Sequence, residues 1–396
     1  MKKKVLFLIH ALGAGGAEKI LVNIANGMDK EKYDVTIMTV VNTGVFRNSI
    51  DSNVKYKYIF SIPFRKKKSN NTKAKEPGNL LAKYDPKVQF IAKLYTLFWK
   101  YMPVKLFYRF MIREKYDVEI AFLEGICAKL ISGSTNKKSK KISWIHVDML
   151  NHKKSEAVFS SLESERKCYE KFDKVICVSK NVRDQFIKKF NYDNSKVEIK
   201  YNPVDKIDIQ NKAKEEVTDI RKPERFVFCT IGRLVTQKGY DRLLRVHNRL
   251  VKEGLNYEIW IIGEGNKRPL LEEYIKENNL SDTVKMLGFK ENPYKYLNLA
   301  DSFVCSSRAE GFSTVASEAV ILGKPIVTVN CSGMHELLGE NNEYGLVVEN
   351  NEDALYKGMK TMLENKDIFN NYLEKVKERE SIFDYKVAVK NIEELC

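Results

Sequence analysis

The feature that most constrains this sequence is an alternation of short apolar segments with longer amphipathic ones, which occurs twice along the 396 residues. In each half, runs rich in Val, Ile and Phe are followed by segments whose apolar residues recur with helical spacing. This order predicts parallel strands that are connected by helices and buried on both faces. We therefore predict an α/β protein of two doubly wound, Rossmann-like domains that face a central cleft.

In the first half, strands are predicted at Val5–Ile9, Asp34–Val41, Val118–Phe122, Lys141–Ile145 and Lys174–Val178, with helices at Ala17–Gly27 and Ser155–Lys171. In the second half, strands are predicted at Phe226–Ile231, Glu258–Ile262, Val284–Leu287, Ser302–Cys305 and Pro325–Val329, with helices at Asp241–Lys252, Lys267–Asn278, Ser317–Leu322 and Leu355–Asn365. The polar stretch Lys206–Lys222 predicts the boundary. The domains are thus residues 1–203 and 204–380, followed by an amphipathic C-terminal helix in 381–396.

The net charge of +16 is confined to the first half of the chain. Residues 1–205 carry 40 basic and 21 acidic side chains, whereas residues 206–396 carry 28 and 31. Such an asymmetry indicates that the first half faces an anionic partner, either nucleic acid or a membrane surface.

The basic excess is concentrated in an insert, residues 62–116, with 14 Lys or Arg and three acidic residues. Its second part interleaves aromatic residues with cations, a pattern typical of helices that lie in a membrane interface. The predicted membrane contacts are Lys93, Trp99, Lys100, Lys105, Phe107 and Arg109. The alternative is a pair of helices whose aromatics pack on the domain and whose lysines are merely solvated.

Cysteine spacing and hydropathy constrain the compartment. The seven cysteines are scattered without a C-x-x-C pair, which gives a zinc site little support and favours buried free thiols in a reducing compartment. The apolar run Val5–Ile9 is too short for a signal peptide, and no stretch of about 18 apolar residues predicts a transmembrane helix. We expect a cytoplasmic protein.

Several predicted strands end in glycine-containing turns, where backbone N–H groups can approach an anion. The first is Gly13–Glu18, whose spacing is not G-x-G-x-x-G, so a dinucleotide site is disfavoured. In the second half, Gly232-Arg233 is followed by Lys238, and this pair of cations suits a diphosphate. The alternative is a surface loop with two solvated bases.

The pair Glu310 and Glu318 forms the sharpest constellation in the sequence. Glu310 lies in the loop after the strand Ser302–Cys305, and Glu318 lies one turn inside the next helix. Carboxylates so placed can accept hydrogen bonds from sugar or ribose hydroxyls. The alternative is helix capping together with a solvated helix carboxylate.

With these motifs at these strand ends, the sequence resembles the GT4 family of retaining glycosyltransferases, which have the two-domain GT-B fold. The resemblance covers essentially the whole chain. It implies that Arg233 and Lys238 stabilise the diphosphate of a nucleotide-sugar donor, Glu310 holds hydroxyls of the donor sugar, and His146 lies near that sugar. It implies further donor contacts by Gly15, Gly16, Gly232, Gly263, Glu264, Gly288, Lys290, Gly311, Phe312, Ser313, Thr314 and Glu318. Asp148 is a candidate on the acceptor side.

The function implied by the resemblance is retaining transfer of a sugar from a UDP- or GDP-sugar to a glycan acceptor, expected to be lipid-linked, in surface polysaccharide synthesis. An anionic membrane surface at the cytoplasmic face of the cell membrane is the expected partner. No Asp-x-Asp occurs, so neither a metal nor another cofactor is expected. The alternatives are a transferase with a soluble sugar or protein acceptor, a basic nucleic-acid-binding protein, and a sugar-binding pseudoenzyme.

Overall fold

The computed structural model describes residues 1–13, 15–61, 86–151 and 153–396. They divide into two compact units, of which the first comprises Met1–Tyr201 with Lys386–Cys396 and the second comprises Asn202–Tyr385. Part of the predicted basic insert, residues 62–85, lies outside the described residues, as do Ala14 and His152.

Among the described residues of the first unit, seven strands form one sheet with the order β3-β2-β1-β4-β5-β6-β7. These are β1 (Lys3–Ile9), β2 (Tyr33–Val41), β3 (Lys55–Phe60), β4 (Val118–Ala121), β5 (Lys140–Ile145), β6 (Lys174–Cys177) and β7 (Val197–Ile199). Its helices are α1 (Gly16–Gly27), α2 (Pro86–Tyr101), α3 (Val104–Met111), α4 (Ile126–Ser132), α5 (Leu162–Tyr169) and α6 (Lys180–Phe190). All strand pairs are parallel.

The second unit contains a parallel sheet of six strands with the order β10-β9-β8-β11-β12-β13. These are β8 (Phe226–Ile231), β9 (Tyr257–Ile262), β10 (Val284–Gly288), β11 (Ser302–Cys305), β12 (Ile326–Val329) and β13 (Leu346–Val348). The helices are α7 (Lys206–Ala213), α8 (Tyr240–Lys252), α9 (Arg268–Glu277), α10 (Tyr294–Leu299), α11 (Thr314–Ile321), α12 (Met334–Leu338), α13 (Glu352–Glu364), α14 (Lys366–Arg379) and α15 (Tyr385–Glu393), the last of which continues into the first unit.

The predicted fold class is confirmed, because both sheets are parallel and their central strands are buried. All residues of β9 are buried, as are the last five of β1. The C-terminal helix α15 contacts residues near the start of β2. The backbone N–H of Asp29 donates to the Glu393 carboxylate at 2.6 Å, and the Tyr33 hydroxyl donates to the Glu393 carbonyl at 3.1 Å.

The structure differs from the prediction in one segment and adds detail in two others. The single helix predicted at Ser155–Lys171 is a 3₁₀ segment, Lys153–Val158, followed by α5, whose N-cap Ser161 accepts a hydrogen bond from the Ser164 backbone. The helical stretch of the insert is two helices, since α2 ends just before Pro103 and α3 begins after it. The polar stretch that predicted the domain boundary contains helix α7, capped by Asp205.

A buried carboxylate in β4 makes the stability of the first unit sensitive to pH. Glu119 has 0% exposure, and its burial raises the pKa of its carboxyl, with the Ser134, Tyr108 and Ser139 hydroxyls acting in the opposite direction. Because the pKa is higher in the folded state than in the unfolded chain, ionisation of this carboxyl opposes folding. The free energy of unfolding therefore falls as pH rises from the unfolded pKa through the folded pKa.

We expect Glu119→Gln to increase the free energy of unfolding by about 1 kcal/mol or more at pH 8, and by less at pH 5, because the raised pKa favours the neutral carboxyl as pH falls. Urea unfolding at both pH values measures this difference. Glu163→Gln is the control, since that side chain is 56% exposed and is expected to have little effect. An equal stability change at both pH values would contradict this account of Glu119.

Candidate active site

The best-defined cluster of functional side chains lies in the second unit, where the strand order changes direction. Strands β8 and β11 are neighbours there, and the chain leaves them for helices on opposite sides of the sheet. Ligands of doubly wound sheets bind at this kind of switch point, beyond the carboxyl ends of the strands. The two loops involved are residues 232–239, after β8, and residues 306–313, after β11.

Lys238 and Glu310 form an ion pair between these two loops, with Nζ and Oε1 2.7 Å apart. Their side chains are only 20% and 10% exposed. Burial alone would lower the pKa of Lys238, but the Glu310 carboxylate raises it overall, so the lysine is firmly cationic. Arg233 is exposed, and its positive charge counteracts this rise, which places it within electrostatic reach of Lys238. The structure thus brings the three predicted residues together.

A buried arginine that the sequence analysis did not identify connects the two loops. Arg242, on α8, is 5% exposed and donates to the carbonyls of Ser306 at 2.7 Å and Ser307 at 2.8 Å. Gln237 donates to the Ala309 carbonyl at 2.9 Å, next to Glu310. These bonds fix the Glu310 loop against the Lys238 loop.

A second contact that the sequence analysis did not identify joins Arg308, in the loop after β11, to Asp241, in α8. Arg308 forms two hydrogen bonds of 2.7 Å with the Asp241 carboxylate, and the pKa of Asp241 is lowered to about 2 by this guanidinium. The signal in the sequence was weak, because the partners are 67 residues apart and neither belongs to a recognisable motif.

The predicted donor-site glycines adjoin one another at the strand ends. Gly232, Gly263 and Gly288 have positive φ angles of 158°, 144° and 72°. A Cβ at Gly263 would overlap the carbonyl oxygen of Gly232, and the Gly263 N–H donates to the Gly288 carbonyl at 2.8 Å. Gly263 therefore permits a close approach that a side chain would prevent.

The loop after β11 leads into α11 through an N-cap at Ser313, whose side chain accepts a hydrogen bond from the Ala316 backbone. Gly311 and Phe312 are buried, and Thr314 begins the helix. Glu318 is 4% exposed, and its carboxylate accepts a hydrogen bond from Tyr294, on α10, at 3.0 Å. Its predicted contact with ribose stays a prediction.

Two other predicted donor residues carry ion pairs of their own. Glu264 pairs with Arg268 at 2.5 Å, and Lys290 pairs with Asp219. Between Gly288 and Lys290, the Phe289 ring is 51% exposed. Phe289 is thus a large exposed apolar surface between two predicted donor contacts, Gly288 and Lys290.

In the first unit, the glycine turn after β1 starts helix α1, with Gly15 at the N-cap and Gly16 as the first helical residue. The Glu18 carboxylate folds back over Gly15, where a Cβ would overlap it. Acidic side chains are favourable at this end of a helix. Contact of Gly15 and Gly16 with a donor phosphate stays a prediction.

His146 follows β5 and is 9% exposed, between the rings of Phe122 and Trp144. Burial lowers the pKa of His146 to about 3, and a hydrogen bond with the Phe122 backbone acts in the opposite direction. The imidazole is therefore neutral at physiological pH. Its Nε2 is buried and has no hydrogen-bond partner among the described residues.

Asp148 is largely committed to its own turn. Its Oδ1 accepts hydrogen bonds from the backbone N–H groups of Leu150 and Asn151, at 3.0 and 3.1 Å. Its Oδ2 accepts one from the Asn151 side chain at 2.8 Å. These three hydrogen bonds give the Asp148 carboxylate a structural role that does not require contact with an acceptor sugar.

The described part of the basic insert presents an apolar face to solvent. On α2, the exposed residues Phe90, Leu94, Leu97, Phe98 and Tyr101 recur at helical spacing, with exposures between 45% and 67%. On α3, Leu106 and Phe110 are 54% and 58% exposed. Lys93, Lys105 and Arg109 are also exposed, and Lys100 is half-buried. The end of α2 is fixed by Lys129, which donates to the Trp99 and Lys100 carbonyls at 2.6 and 2.9 Å.

The prediction that Trp99 contacts a membrane is wrong. Trp99 is 0% exposed, because its indole packs against Phe98, Tyr95 and Phe107 on the inner side of α2. Phe107 is half-buried and also contacts Phe60. These two rings attach the helices to the unit, and the outer residues form the exposed face.

The state of the cysteines, the grouping of metal-binding side chains and the apolar character of the helices were also predicted from the sequence. All seven cysteines are free and buried. In the described ranges, no group of three or more His, Cys, Asp or Glu side chains is arranged to hold a metal ion. None of the described helices has the length and apolar character needed to cross a bilayer.

Comparisons with known proteins agree with this geometry. Residues 14–206 match the family model described as Glycosyltransferase Family 4, and residues 212–380 match the model described as Glycosyl transferases group 1. A relative from Campylobacter jejuni is 29% identical over 385 residues, 96% of each chain. It is the N-acetylgalactosamine-N,N'-diacetylbacillosaminyl-diphospho-undecaprenol 4-alpha-N-acetylgalactosaminyltransferase.

Solved structures share the architecture at low sequence identity. The Anabaena protein Alr3699/HepE in complex with UDP-glucose superposes with a TM-score of 0.72 at 18% identity, covering 99% of this chain and 98% of the other. TarM superposes with a TM-score of 0.71 at 16% identity, covering 100% and 99%.

The two parallel-sheet units define a protein of the GT-B fold. The chain belongs to the GT4 family of glycosyltransferases and is an enzyme that transfers a sugar.

Proposed function

We propose that this enzyme transfers a sugar from a UDP-sugar to a lipid-linked glycan in the synthesis of a surface polysaccharide, with retention of anomeric configuration. The observation that carries the proposal is the Lys238–Glu310 ion pair beside Arg233 at the switch point of the second sheet. It places two cations and a carboxylate where a nucleoside diphosphate sugar would bind.

UDP is the proposed nucleotide, rather than GDP, because solved structures of this fold contain UDP or UDP-glucose. Backbone groups around Gly232 and Gly263 would approach the diphosphate, with Glu264 and the Gly311–Thr314 segment beside them. Gly288, Phe289 and Lys290 would line the base, and Glu318 would bind the ribose.

In the reaction, Arg233 and Lys238 would stabilise the negative charge that develops on the leaving diphosphate. Glu310 would orient the donor-sugar hydroxyls and hold Lys238 in its charged form. The neutral His146 would accept a hydrogen bond from a sugar hydroxyl. The acceptor hydroxyl would attack on the face from which UDP departs, and its proton would pass to the departing phosphate.

We propose that no metal or other cofactor takes part in the transfer. The sequence has no Asp-x-Asp motif of the kind that bridges a metal to a diphosphate, and Arg233 with Lys238 supplies positive charge at the corresponding place. Transfer is therefore expected to proceed in the presence of a chelator.

The acceptor is proposed to be lipid-linked because the Campylobacter jejuni relative acts, by its name, on a diphospho-undecaprenol substrate. The exposed apolar face of α2 and α3, with Lys93, Lys105 and Arg109 beside it, suits an anionic membrane surface. The enzyme would then work at the cytoplasmic face of the cell membrane, and its basic half would bind lipid rather than nucleic acid.

Calorimetric titration tests the donor assignment. We expect UDP to bind the purified protein and GDP to bind much more weakly, and Arg233→Ala to weaken UDP binding about tenfold, since a charge-assisted contact is lost. Arg221→Ala is the matched control, because Arg221 is an exposed arginine in the same unit, outside the cluster. Equal UDP affinity in both variants would contradict the role of Arg233, and no UDP binding by the wild type would contradict the proposed donor.

A further inference from the structure

Glu124 is an ionisable side chain at the carboxyl edge of the first sheet, and it has no role in the function proposed above. The order of this sheet changes direction between β1 and β4, so the crevice of the first unit opens there. His10 follows β1, Glu124 lies three residues after β4, and His146 follows β5. Gly125, with φ of 71°, then turns the chain into α4. Glu124 therefore lies on the ligand-binding edge of its unit.

Backbone groups hold the Glu124 carboxylate in a fixed position. Its Oε1 accepts hydrogen bonds from the backbone N–H groups of His146 and, at 3.1 Å, of Val147. The side chain is partly exposed, and none of the ion pairs formed by the described residues includes it. The two oxygens of a carboxylate can together accept about four hydrogen bonds. Glu124 can therefore accept about two more.

The groups around Glu124 provide no compensating cation. The ionisable groups that interact electrostatically or by hydrogen bonds with Glu124 are His146 on the β5 loop, Cys127 on α4, Glu165 and Tyr169 on α5, and Cys177 on β6. The imidazole of His146 is neutral. Burial raises the pKa of Glu124 to about 7, its hydrogen bonds with backbone N–H groups lower it, and Glu165 adds to the rise.

We propose that Glu124 is an acceptor-binding residue, whose carboxylate accepts a hydrogen bond from the attacking hydroxyl of the acceptor sugar and orients it. The inference rests on the proposed function and adds the group that selects the nucleophile. As the bond from the acceptor oxygen to the anomeric carbon forms, the bond from that carbon to the diphosphate oxygen breaks. The hydroxyl proton ends on the released UDP, so Glu124 orients the hydroxyl and does not retain its proton.

The competing explanation is that Glu124 only fixes the backbone of the His146 loop. Two substitutions separate the explanations. Glu124→Gln keeps an amide oxygen that can accept both N–H bonds but removes the negative charge, whereas Glu124→Ala removes both. We expect kcat/KM for the acceptor to fall about 100-fold in both variants, with UDP affinity unchanged. Wild-type turnover by Glu124→Gln together with slow turnover by Glu124→Ala would overturn the proposal.

A pH profile of the wild-type enzyme gives a second readout that a structural role would not change. Because the ionised carboxylate accepts the hydrogen bond, kcat/KM for the acceptor is expected to rise between pH 6 and pH 8 with a midpoint near 7. Glu124→Gln is expected to lack this rise. A wild-type profile that is flat over this range would overturn the proposal, even if a variant failed to fold.

Failure of the proposed function would look different in the same experiment. The wild-type protein would then bind UDP without transferring sugar, or bind no UDP, and the assignment of Glu124 would be refuted with it. Normal transfer by the wild type and by Glu124→Gln would refute the Glu124 assignment alone.

Discussion

Replacing Glu310 with Gln is expected to lower kcat by at least about 100-fold while the chain remains folded. Glutamine has nearly the same volume, but it lacks the charge that neutralises Lys238 across 2.7 Å and that holds the donor-sugar hydroxyls. Lys238→Met is expected to cause a loss of the same order, because it removes the cation that meets the leaving diphosphate. Initial rates at saturating donor and acceptor measure both effects.

A matched control is available in the same unit. Lys360 and Glu253 form an ion pair at 2.8 Å whose side chains are each 34% exposed. Glu253→Gln removes the negative charge from an ion pair of similar length outside the cluster and is expected to leave kcat unchanged, with a stability cost below about 1 kcal/mol. Far-ultraviolet circular dichroism and thermal midpoints establish that all three variants are folded. Near-normal turnover in folded Glu310→Gln or Lys238→Met would refute the assigned roles.

The second large effect is expected at α2 and α3, whose exposed apolar face we propose to bind a membrane surface. Replacing Lys93, Lys105 and Arg109 together with Glu should weaken binding to vesicles that contain anionic lipid by at least about 100-fold. Each basic residue near such a surface contributes about 1 kcal/mol, and reversal also adds repulsion. Flotation with phosphatidylglycerol vesicles at low and high salt measures the change.

The control for this variant reverses the same number of charges elsewhere. Lys137, Lys138 and Lys188 are exposed lysines of the first unit outside α2 and α3. Their replacement by Glu changes the net charge equally and should reduce vesicle binding far less. Equal loss in both triple variants would indicate a general charge effect, and absence of wild-type binding would contradict membrane attachment and favour a soluble acceptor.

Most of the fold could be predicted because the central strands are buried on both faces and therefore appear as uninterrupted apolar runs. The strands that were missed lie at or near sheet edges. Strand β3 alternates Lys and Tyr and is half-exposed, so it lacks an apolar run. Strands β7 and β13 have three residues each, too few to show a period.

The candidate site was predicted as far as residue types at strand ends allow. Lys238 and Glu310 could be named from their loops, and the structure brings them together. Arg242 could not, because it sits within an amphipathic helix and its partners are carbonyls 64 and 65 residues away. The wrong assignment of Trp99 has a similar cause. Both faces of α2 are rich in apolar residues, and the tertiary contacts decide which of them is buried.

The proposed reaction moves one sugar from a UDP-sugar to a lipid-linked glycan. It is tested most directly by incubating the purified enzyme with a panel of UDP-sugars and a polyprenyl-diphosphate-linked glycan, with mass spectrometry of the glycolipid. One UDP-sugar is expected to add a single sugar residue and to release an equal amount of UDP, whereas Glu310→Gln is expected to do neither at a comparable rate. UDP-sugar binding without any gain in acceptor mass across the panel would contradict it.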